Sequence, residues 1–178
     1  MTINNAVHCL HVYTGNGKGK TSTAVGAAVR MRGHGGTVLF AQFLKDGNSG
    51  ELASLRKLGI EIEAMPAVKG FFSRMSDSEK AACRSCQQKA ADSLVSHIRQ
   101  VQPSMVILDE LCVALSLGIL TEEEGSALIE AGLQHGETLV TGRGAPEWLM
   151  RRADYLTVLK AEKHPYSVGL AAREGIEW

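Results

Sequence analysis

Ten consecutive residues near the start of the chain carry the densest chemistry: Tyr13-Thr14-Gly15-Asn16-Gly17-Lys18-Gly19-Lys20-Thr21-Ser22. Glycines at 15, 17 and 19 leave backbone N–H groups uncovered by side chains, and a helix starting after them points its positive dipole end at the same place. Such a nest binds a polyphosphate. Lys20 would reach phosphate oxygens as a point charge, and the Thr21 hydroxyl would serve Mg²⁺, a hard cation that shares its shell with phosphate. The usual loop reads G-x-x-x-x-G-K-[ST]. Counting back from Gly19, the first place is held here by Thr14. Two readings follow: a variant phosphate loop, or a glycine-rich turn with Lys20 on a solvated face.

A second signal is Ser104-Met105-Val106-Ile107-Leu108-Asp109-Glu110, an apolar run that ends in two acids. It describes a buried strand delivering carboxylates to the edge of a sheet, where the Mg²⁺ of a bound nucleotide would sit, with Asp109 or Glu110 joining Thr21 around it. Glu110 could orient a water, as in ATP hydrolases, or be a helix N-terminal charge favoured by the dipole. Arg143, between Gly142 and Gly144, could reach a ligand phosphate or carboxylate, or simply decorate a surface loop.

Other candidates are weaker. Cys83 and Cys86 have metal-ligand spacing but no second pair, and His97 lies about 16 Å further along the same helix. They read as two small side chains on that helix. His8, His11, His34, His135 and His164 form no ligand pattern, so no protein-bound metal beyond the nucleotide's is expected. Phe71 and Phe72 stand together in a loop beside Lys69, Gly70 and Arg74. Either they face a ligand, or one enters the core and the other covers it.

The elements that must position these residues alternate along the chain. The run 7–13 feeds the glycine loop as a strand, and a helix over 20–32 ends at Gly33-His34-Gly35-Gly36. The stretch 37–43 is continuously apolar, as befits a parallel strand buried on both faces, and a polar loop, Lys45-Asp46-Gly47-Asn48-Ser49-Gly50, leaves its carboxyl end. A short helix over 51–58 precedes the alternating strand 60–65, which its exposed side places nearer a sheet edge. Ser76 and Glu79 have capping-box spacing ahead of a helix to about 101, and Thr121 and Glu124 repeat it ahead of a helix to about 132. A short helix spans 111–117, Pro146 suits a helix's first turn, and strands occupy 137–141 and 155–159. The tail from Lys163 to Trp178 has no clear periodicity. These elements make an α/β fold, a mostly parallel sheet of about six strands with helices on both faces.

The chain has 178 residues, which suits one domain over 1–178. Nineteen Lys plus Arg balance nineteen Asp plus Glu, so bulk electrostatic tracking of nucleic acid is not expected. No apolar run approaches the ~18 residues of a membrane span and no leader pattern opens the chain, so a soluble, cytoplasmic protein is expected. Four cysteines, Cys9, Cys83, Cys86 and Cys112, fit a reducing compartment.

Taken together, Gly15 to Thr21, Arg30 to Gly35, Gln42-Phe43-Leu44-Lys45, Leu108-Asp109-Glu110-Leu111, Thr141 to Pro146, Lys163-His164-Pro165-Tyr166 and Gly175-Ile176-Glu177 resemble the ATP:corrinoid adenosyltransferases. The resemblance runs from about Leu10 to the C-terminus. It implies a single-domain P-loop NTPase-like (RecA-like) fold, usually a homodimer. Its activity would move the 5′-deoxyadenosyl group of ATP to the cobalt of a cob(I) corrinoid and release triphosphate, assisted by Mg²⁺ or Mn²⁺. The acceptor would be cob(I)alamin, cobinamide or cobyrinic acid a,c-diamide, and a reduced flavoprotein would donate electrons. Such a displacement needs no general base, and no convincing base is evident in the sequence.

The resemblance also distributes roles. Asn16, Gly17, Lys18, Gly19, Lys20, Thr21, Ser22 and Arg30 would contact phosphates, Gln42 would lie close to the nucleoside, and Arg143 would help hold the ligand. Lys20, Thr21 and Glu110 would act in catalysis, with Thr21, Asp109 and Glu110 around the metal. ATP would lie in the loop with reversed polarity. Phe71 and Phe72 fall where a loop aromatic of the family displaces the lower axial ligand of the corrinoid. The chain departs at Ser73, where relatives often have tryptophan, and at Cys112, where many have Asn or Thr. Relatives often carry a longer N-terminal extension over the corrinoid site, which implies a site here that is more open or closed by other means. A RecA-like ATP hydrolase and a nucleotide-regulated corrinoid-binding module are the competing readings.

Overall fold

The computed structural model describes residues 7–45, 47–68, 70–165 and 169–176. Asp46 and Lys69, and Tyr166, Ser167, Glu177 and Trp178 of the tail, lie outside the described residues. Six strands form one parallel sheet in the order β3-β2-β4-β5-β1-β6. They are β1 (Leu10–Thr14), β2 (Val38–Gln42), β3 (Glu61–Ala64), β4 (Met105–Asp109), β5 (Glu137–Thr141) and β6 (Tyr155–Val158). The helices are α1 (Lys20–Gly33), α2 (Gly50–Lys57), α3 (Asp77–Val101), α4 (Leu111–Ser116), α5 (Glu122–Leu133) and α6 (Glu147–Arg152).

The two continuous apolar runs become β2 and β4, neighbours in the sheet, in which every residue is buried. Side chains alternate across the pleat, so each strand supplies two cores at once. Leu39, Ala41, Phe43, Val106 and Leu108 pack with Leu94, Ile98, Leu128 and Ile129 of α3 and α5. Val38, Phe40, Met105 and Ile107 pack on the other face with Ala24, Ala28, Leu52 and Leu55 of α1 and α2. Strand β3 lies at an edge, as its two glutamates require, and β6 forms the other edge with all four residues exposed.

Both expected capping boxes form. The Ser76 side chain accepts from the Glu79 N–H while Glu79 reaches back to the Ser76 N–H, and Thr121 and Glu124 do the same. Each is worth about 0.5–2 kcal/mol and fixes where a helix begins. Two boundaries differ from expectation. Pro146 is the residue before α6 rather than its first helical residue, and β6 stops at Val158: the Leu159 N–H still meets β1 at the Thr14 carbonyl, but the Leu159 carbonyl accepts from Gly17 of the glycine loop.

The adjacent aromatics separate. Phe72 begins a single 3₁₀ turn, Phe72–Arg74, and is 7% exposed within the α3-side core, whereas Phe71 is 70% exposed with the Arg74 guanidinium 4.9 Å from its ring centre. Arg84 of α3 lies over the outer side of the Phe72 ring, 5.5 Å from its centre. Gln87 anchors the same segment by donating to the Pro66 carbonyl.

Candidate functional site

In a parallel sheet all carboxyl ends share one edge, and here the functional segments leave from it: the glycine loop after β1, Leu44-Lys45 after β2, Glu110 after β4 and Gly142-Arg143-Gly144 after β5. The glycine loop is held from behind by backbone. Leu159 N–H donates to the Thr14 carbonyl and Gly17 N–H donates to the Leu159 carbonyl, both at 2.8 Å. Asn16 Oδ1 accepts from the Ala161 N–H at 3.1 Å. Gly15 (φ 103°) and Gly17 face this strap so closely that a Cβ would lie 2.3 Å and 2.9 Å from the Leu159 carbonyl oxygen. The glycines therefore serve two purposes, baring amides toward the cleft and admitting the strap after β6 on the other side.

Thr14 has its own explanation. It is buried at the end of β1, and its hydroxyl accepts from the Ala145 N–H at 3.2 Å, tying the loop's entry to the segment after β5. A glycine at this place would offer no such bond.

Lys20, the first residue of α1, is 8% exposed, and its ammonium donates to the Gly17 carbonyl at 2.7 Å, lying across the loop it serves. Burial lowers its pKa below the ordinary lysine value, with Glu110 pulling it back up. A phosphate entering the nest would favour the charged form, so binding the anion and holding the proton on the amine reinforce each other.

Asp109 is fully buried and accepts four hydrogen bonds. Oδ1 takes the hydroxyls of Thr21 (2.8 Å) and Thr141 (2.7 Å), and Oδ2 takes Gln42 Nε2 (3.1 Å) and the Lys45 ammonium (3.0 Å). Gln42 also donates to Glu51 Oε1 at 3.1 Å, and its side-chain amide oxygen is buried with no partner among the described residues. Two strained non-glycine residues flank this knot, Leu44 and Glu110, both at φ 62°. The αL turn at Leu44 precedes the Lys45 that reaches Asp109, and the one at Glu110 lets its N–H meet Thr141 Oγ1 at 3.0 Å. Each such residue costs roughly 1–3 kcal/mol and persists only where its surroundings hold it.

The cleft between these walls has a volume of about 870 Å³ and is lined by Asn16 to Ser22, Glu110 and Arg143, with His164, Ala172 and Ile176 of the returning tail. Burial pushes the Glu110 carboxyl above the usual carboxylate range, and Asp109 pushes it the same way, while Lys45, Lys20 and Arg143 pull it down. A cation or a closer positive group in the cleft would favour its ionised form. Cys112, behind Glu110, is buried, and its thiol is pushed up to about 12 by burial, with Glu110 adding to the effect. It stays protonated and has no nucleophilic role.

The structure thus brings Asn16 to Ser22, Glu110 and Arg143 to one cleft, with Asp109 beneath it. It does not bring Arg30, which is exposed near the far end of α1, about 15 Å along the axis from Lys20 and close enough to Tyr13 to influence its phenol. Gln42 is 2% exposed and holds Asp109 rather than the cleft wall. Phe71 lies beyond β3, four places from β1 in the sheet, roughly 19 Å across the edge. Phe72 faces the core.

Three contributors went unassigned in the sequence: Lys45, Thr141 and the tail. Lys45 and Thr141 each follow or end a strand in a motif already singled out, so their position was a usable signal. The tail residues His164 and Ile176 also lie in quoted motifs, but without periodicity nothing showed that they return to the cleft, where the Lys18 ammonium donates to the Ile176 carbonyl at 2.8 Å.

For a divalent cation the arrangement has one fitting observation. Thr21 gives its hydroxyl proton to Asp109, which leaves the oxygen lone pairs for an ion in the cleft beside Glu110. Asp109 itself, with both oxygens engaged, acts from behind.

The family model described as ATP:corrinoid adenosyltransferase BtuR/CobO/CobP matches residues 7–178. The Corrinoid adenosyltransferase CobA of Salmonella typhimurium is 33% identical over 168 residues, covering 94% of this chain and 84% of that protein. The Corrinoid adenosyltransferase of Pseudomonas aeruginosa is 35% identical over 176 residues, covering 95% and 83%. That of Escherichia coli K12 is 33% identical over 168 residues, covering 94% and 84%.

Proposed function

The chain belongs to the ATP:corrinoid adenosyltransferase family, and on that premise we propose which of its residues perform the transfer and how. Its substrates are ATP and a corrinoid, and its place is in cobalamin metabolism. In the transfer the reduced cobalt, as cob(I), attacks the C5′ carbon of ATP. A cobalt–carbon bond forms, the C5′–O bond breaks, and triphosphate leaves with the electron pair. Nothing need be deprotonated, so the residues are required to align the phosphates and to take up charge as it grows.

The observation that carries this reading is the pairing of an anion nest with the Thr21–Asp109 hydrogen bond at its floor. Amides of Asn16 to Ser22 hold the phosphates, and Lys20 exchanges the Gly17 carbonyl for a phosphate oxygen. Arg143, on the opposite wall with Glu110, steadies the leaving chain. Mg²⁺ or Mn²⁺ would be held by Thr21 and Glu110, with Asp109 fixing the Thr21 hydroxyl. When bound, it would supply further charge neutralisation for the triphosphate. Glu110 then serves the metal and not a hydrolytic water.

Gln42 and Lys45 position Asp109, and Arg30 has no part in phosphate contact. Phe71, exposed on the same sheet edge, is the aromatic available to a corrinoid, while Phe72 anchors its loop. The acceptor is cob(I)alamin or a cobinamide or cobyrinic acid precursor, and a reduced flavoprotein is the electron donor. The protein works in the cytoplasm as one domain in a homodimer, for which the exposed edge strand β6 offers a surface.

The test is an anaerobic assay with MgATP and chemically reduced cob(I)alamin. Adenosylcobalamin and triphosphate should appear in equal amounts, and Lys20→Ala should slow their formation by at least ~10²-fold. ADP and phosphate without a new cobalt–carbon bond would overturn the reading.

A further inference from the structure

The loop that carries Phe71 takes its fixings from α3. Gln87 donates to the Pro66 carbonyl at the loop's start, the Arg84 guanidinium lies over the Phe72 ring, 5.5 Å from its centre, and the Ser76–Glu79 box closes its end. Arg84 and Gln87 stand three residues apart, so they project from one side of the helix. Phe72 is buried, and its neighbour in the chain, Phe71, is exposed with Arg74 over its ring. The exposed ring can therefore shift only as far as its buried neighbour allows.

Arg84 is engaged a second time. Its Nε donates to the Gly118 carbonyl at 2.7 Å. Gly118 stands just beyond α4 at φ 62°, where its N–H donates to the Leu115 carbonyl at 3.0 Å and the Ile119 N–H to that of Ala114 at 2.9 Å. The carbonyl that Arg84 grips is thus fixed by the end of α4. The other end of this helix is Glu110, which precedes its first turn and lines the cleft. One side chain, exposed along α3, joins the aromatic loop to a helix about 9 Å long that starts at the cleft's acid. A role confined to satisfying the last carbonyls of a helix would explain the Gly118 bond but not the placement over Phe72.

We propose that Arg84 is a positioning residue for the corrinoid, setting the Phe71 ring against α4 and so against the nucleotide cleft. The proposal deepens the transferase reading and rests on it, with Phe71 as the aromatic that meets the corrinoid. Cob(I) must approach C5′ to about 3–3.5 Å and in line, and a misplacement of about 1 Å can cost about 10²-fold. A corrinoid resting on Phe71 presents its cobalt according to where that ring stands relative to the nucleotide. Arg84 touches neither substrate and acts through Phe72 and Gly118.

A double-variant cycle read on the corrinoid is the test. Arg84→Ala should lower kcat/KM for cob(I)alamin about tenfold, with the KM for ATP within about twofold of wild type. Phe71→Ala should lower it at least as far, and adding Arg84→Ala to Phe71→Ala should cost nothing more, because the guanidinium acts through that ring. An unchanged kcat/KM in Arg84→Ala, losses that multiply in the double variant, or an ATP KM raised as much as the corrinoid KM each overturn the proposal. Hydrogen exchange of the ligand-free protein reads the same link without substrate. The Arg74 and Met75 amides, which bond to the Phe71 and Phe72 carbonyls, should exchange several-fold faster in Arg84→Ala while those of α1 keep their wild-type rates. Unchanged exchange in the loop overturns the positioning role whatever the assay gives. Adenosylcobalamin formation by the wild-type preparation shows independently whether the transferase reading stands.

Discussion

Two neighbouring parts of the carboxyl edge are built in opposite ways. Around Asp109 the structure is held by side chains: two hydroxyls, an amide and an ammonium converge on one buried carboxylate. Around the glycine loop the strap supplies main-chain groups, with two backbone bonds at Leu159 and the Ala161 N–H donating to Asn16 Oδ1. The difference follows from what each part must do. A frame that fixes strand ends has no need to touch solvent, so it can spend its side chains on itself. A surface that is to receive a polyphosphate, as proposed for the loop, must keep its amides and its lysine available, so much of its support has to come from the main chain.

The frame should be the more costly to disturb. Asp109→Asn keeps the shape but replaces one acceptor oxygen with a donor in a pocket that already presents four donors. We expect a loss of about 3 kcal/mol of stability, measured by urea denaturation, together with loss of adenosyl transfer. The cost is tempered because Lys45 is partly exposed and can turn to water. An unchanged denaturation midpoint would erase the distinction between frame and surface.

Gly15→Ala strikes the loop instead. Its new Cβ, at φ 103°, would meet the Leu159 carbonyl at 2.3 Å and push the strap away. A loss of about 2 kcal/mol is expected, with the KM for ATP raised more than the midpoint is lowered. A midpoint shift as large as that of Asp109→Asn would show that the strap belongs to the frame.

Thr14→Val is the smallest change and lies at the junction. It removes only the acceptor for the Ala145 N–H. About 1 kcal/mol should be lost, with ATP affinity little altered. A large loss of ATP affinity would mean that the hydroxyl serves the nucleotide directly.

Much of this was legible along the chain. Strands β2 and β4 announced themselves by unbroken apolar runs because both their faces are covered. The helices starting after Ser76 and Thr121 were marked by boxes whose partners lie three residues apart, within reach of local geometry. The split between Phe71 and Phe72 was left open, since neighbouring residues in a loop have the same composition around them and differ only in what α3 covers. Arg30 stands apart from the cleft lining for a related reason: it belongs to a motif, but a helix carries it away from its own N-terminus at about 1.5 Å per residue.

The sequence by itself determined the parallel sheet, the glycine loop between β1 and α1 and the acid at the end of β4, because each depends on spacing within a few residues. Only the tertiary structure decided that Lys45, Gln42 and Thr141 converge on Asp109, that Thr14 fastens the loop to Ala145, and that the tail returns to wall the cleft. Those contacts join residues from different strands and loops, from 32 residues apart to 131. No local pattern encodes them, because packing the helices on the two faces of the sheet is what brings the strand ends together.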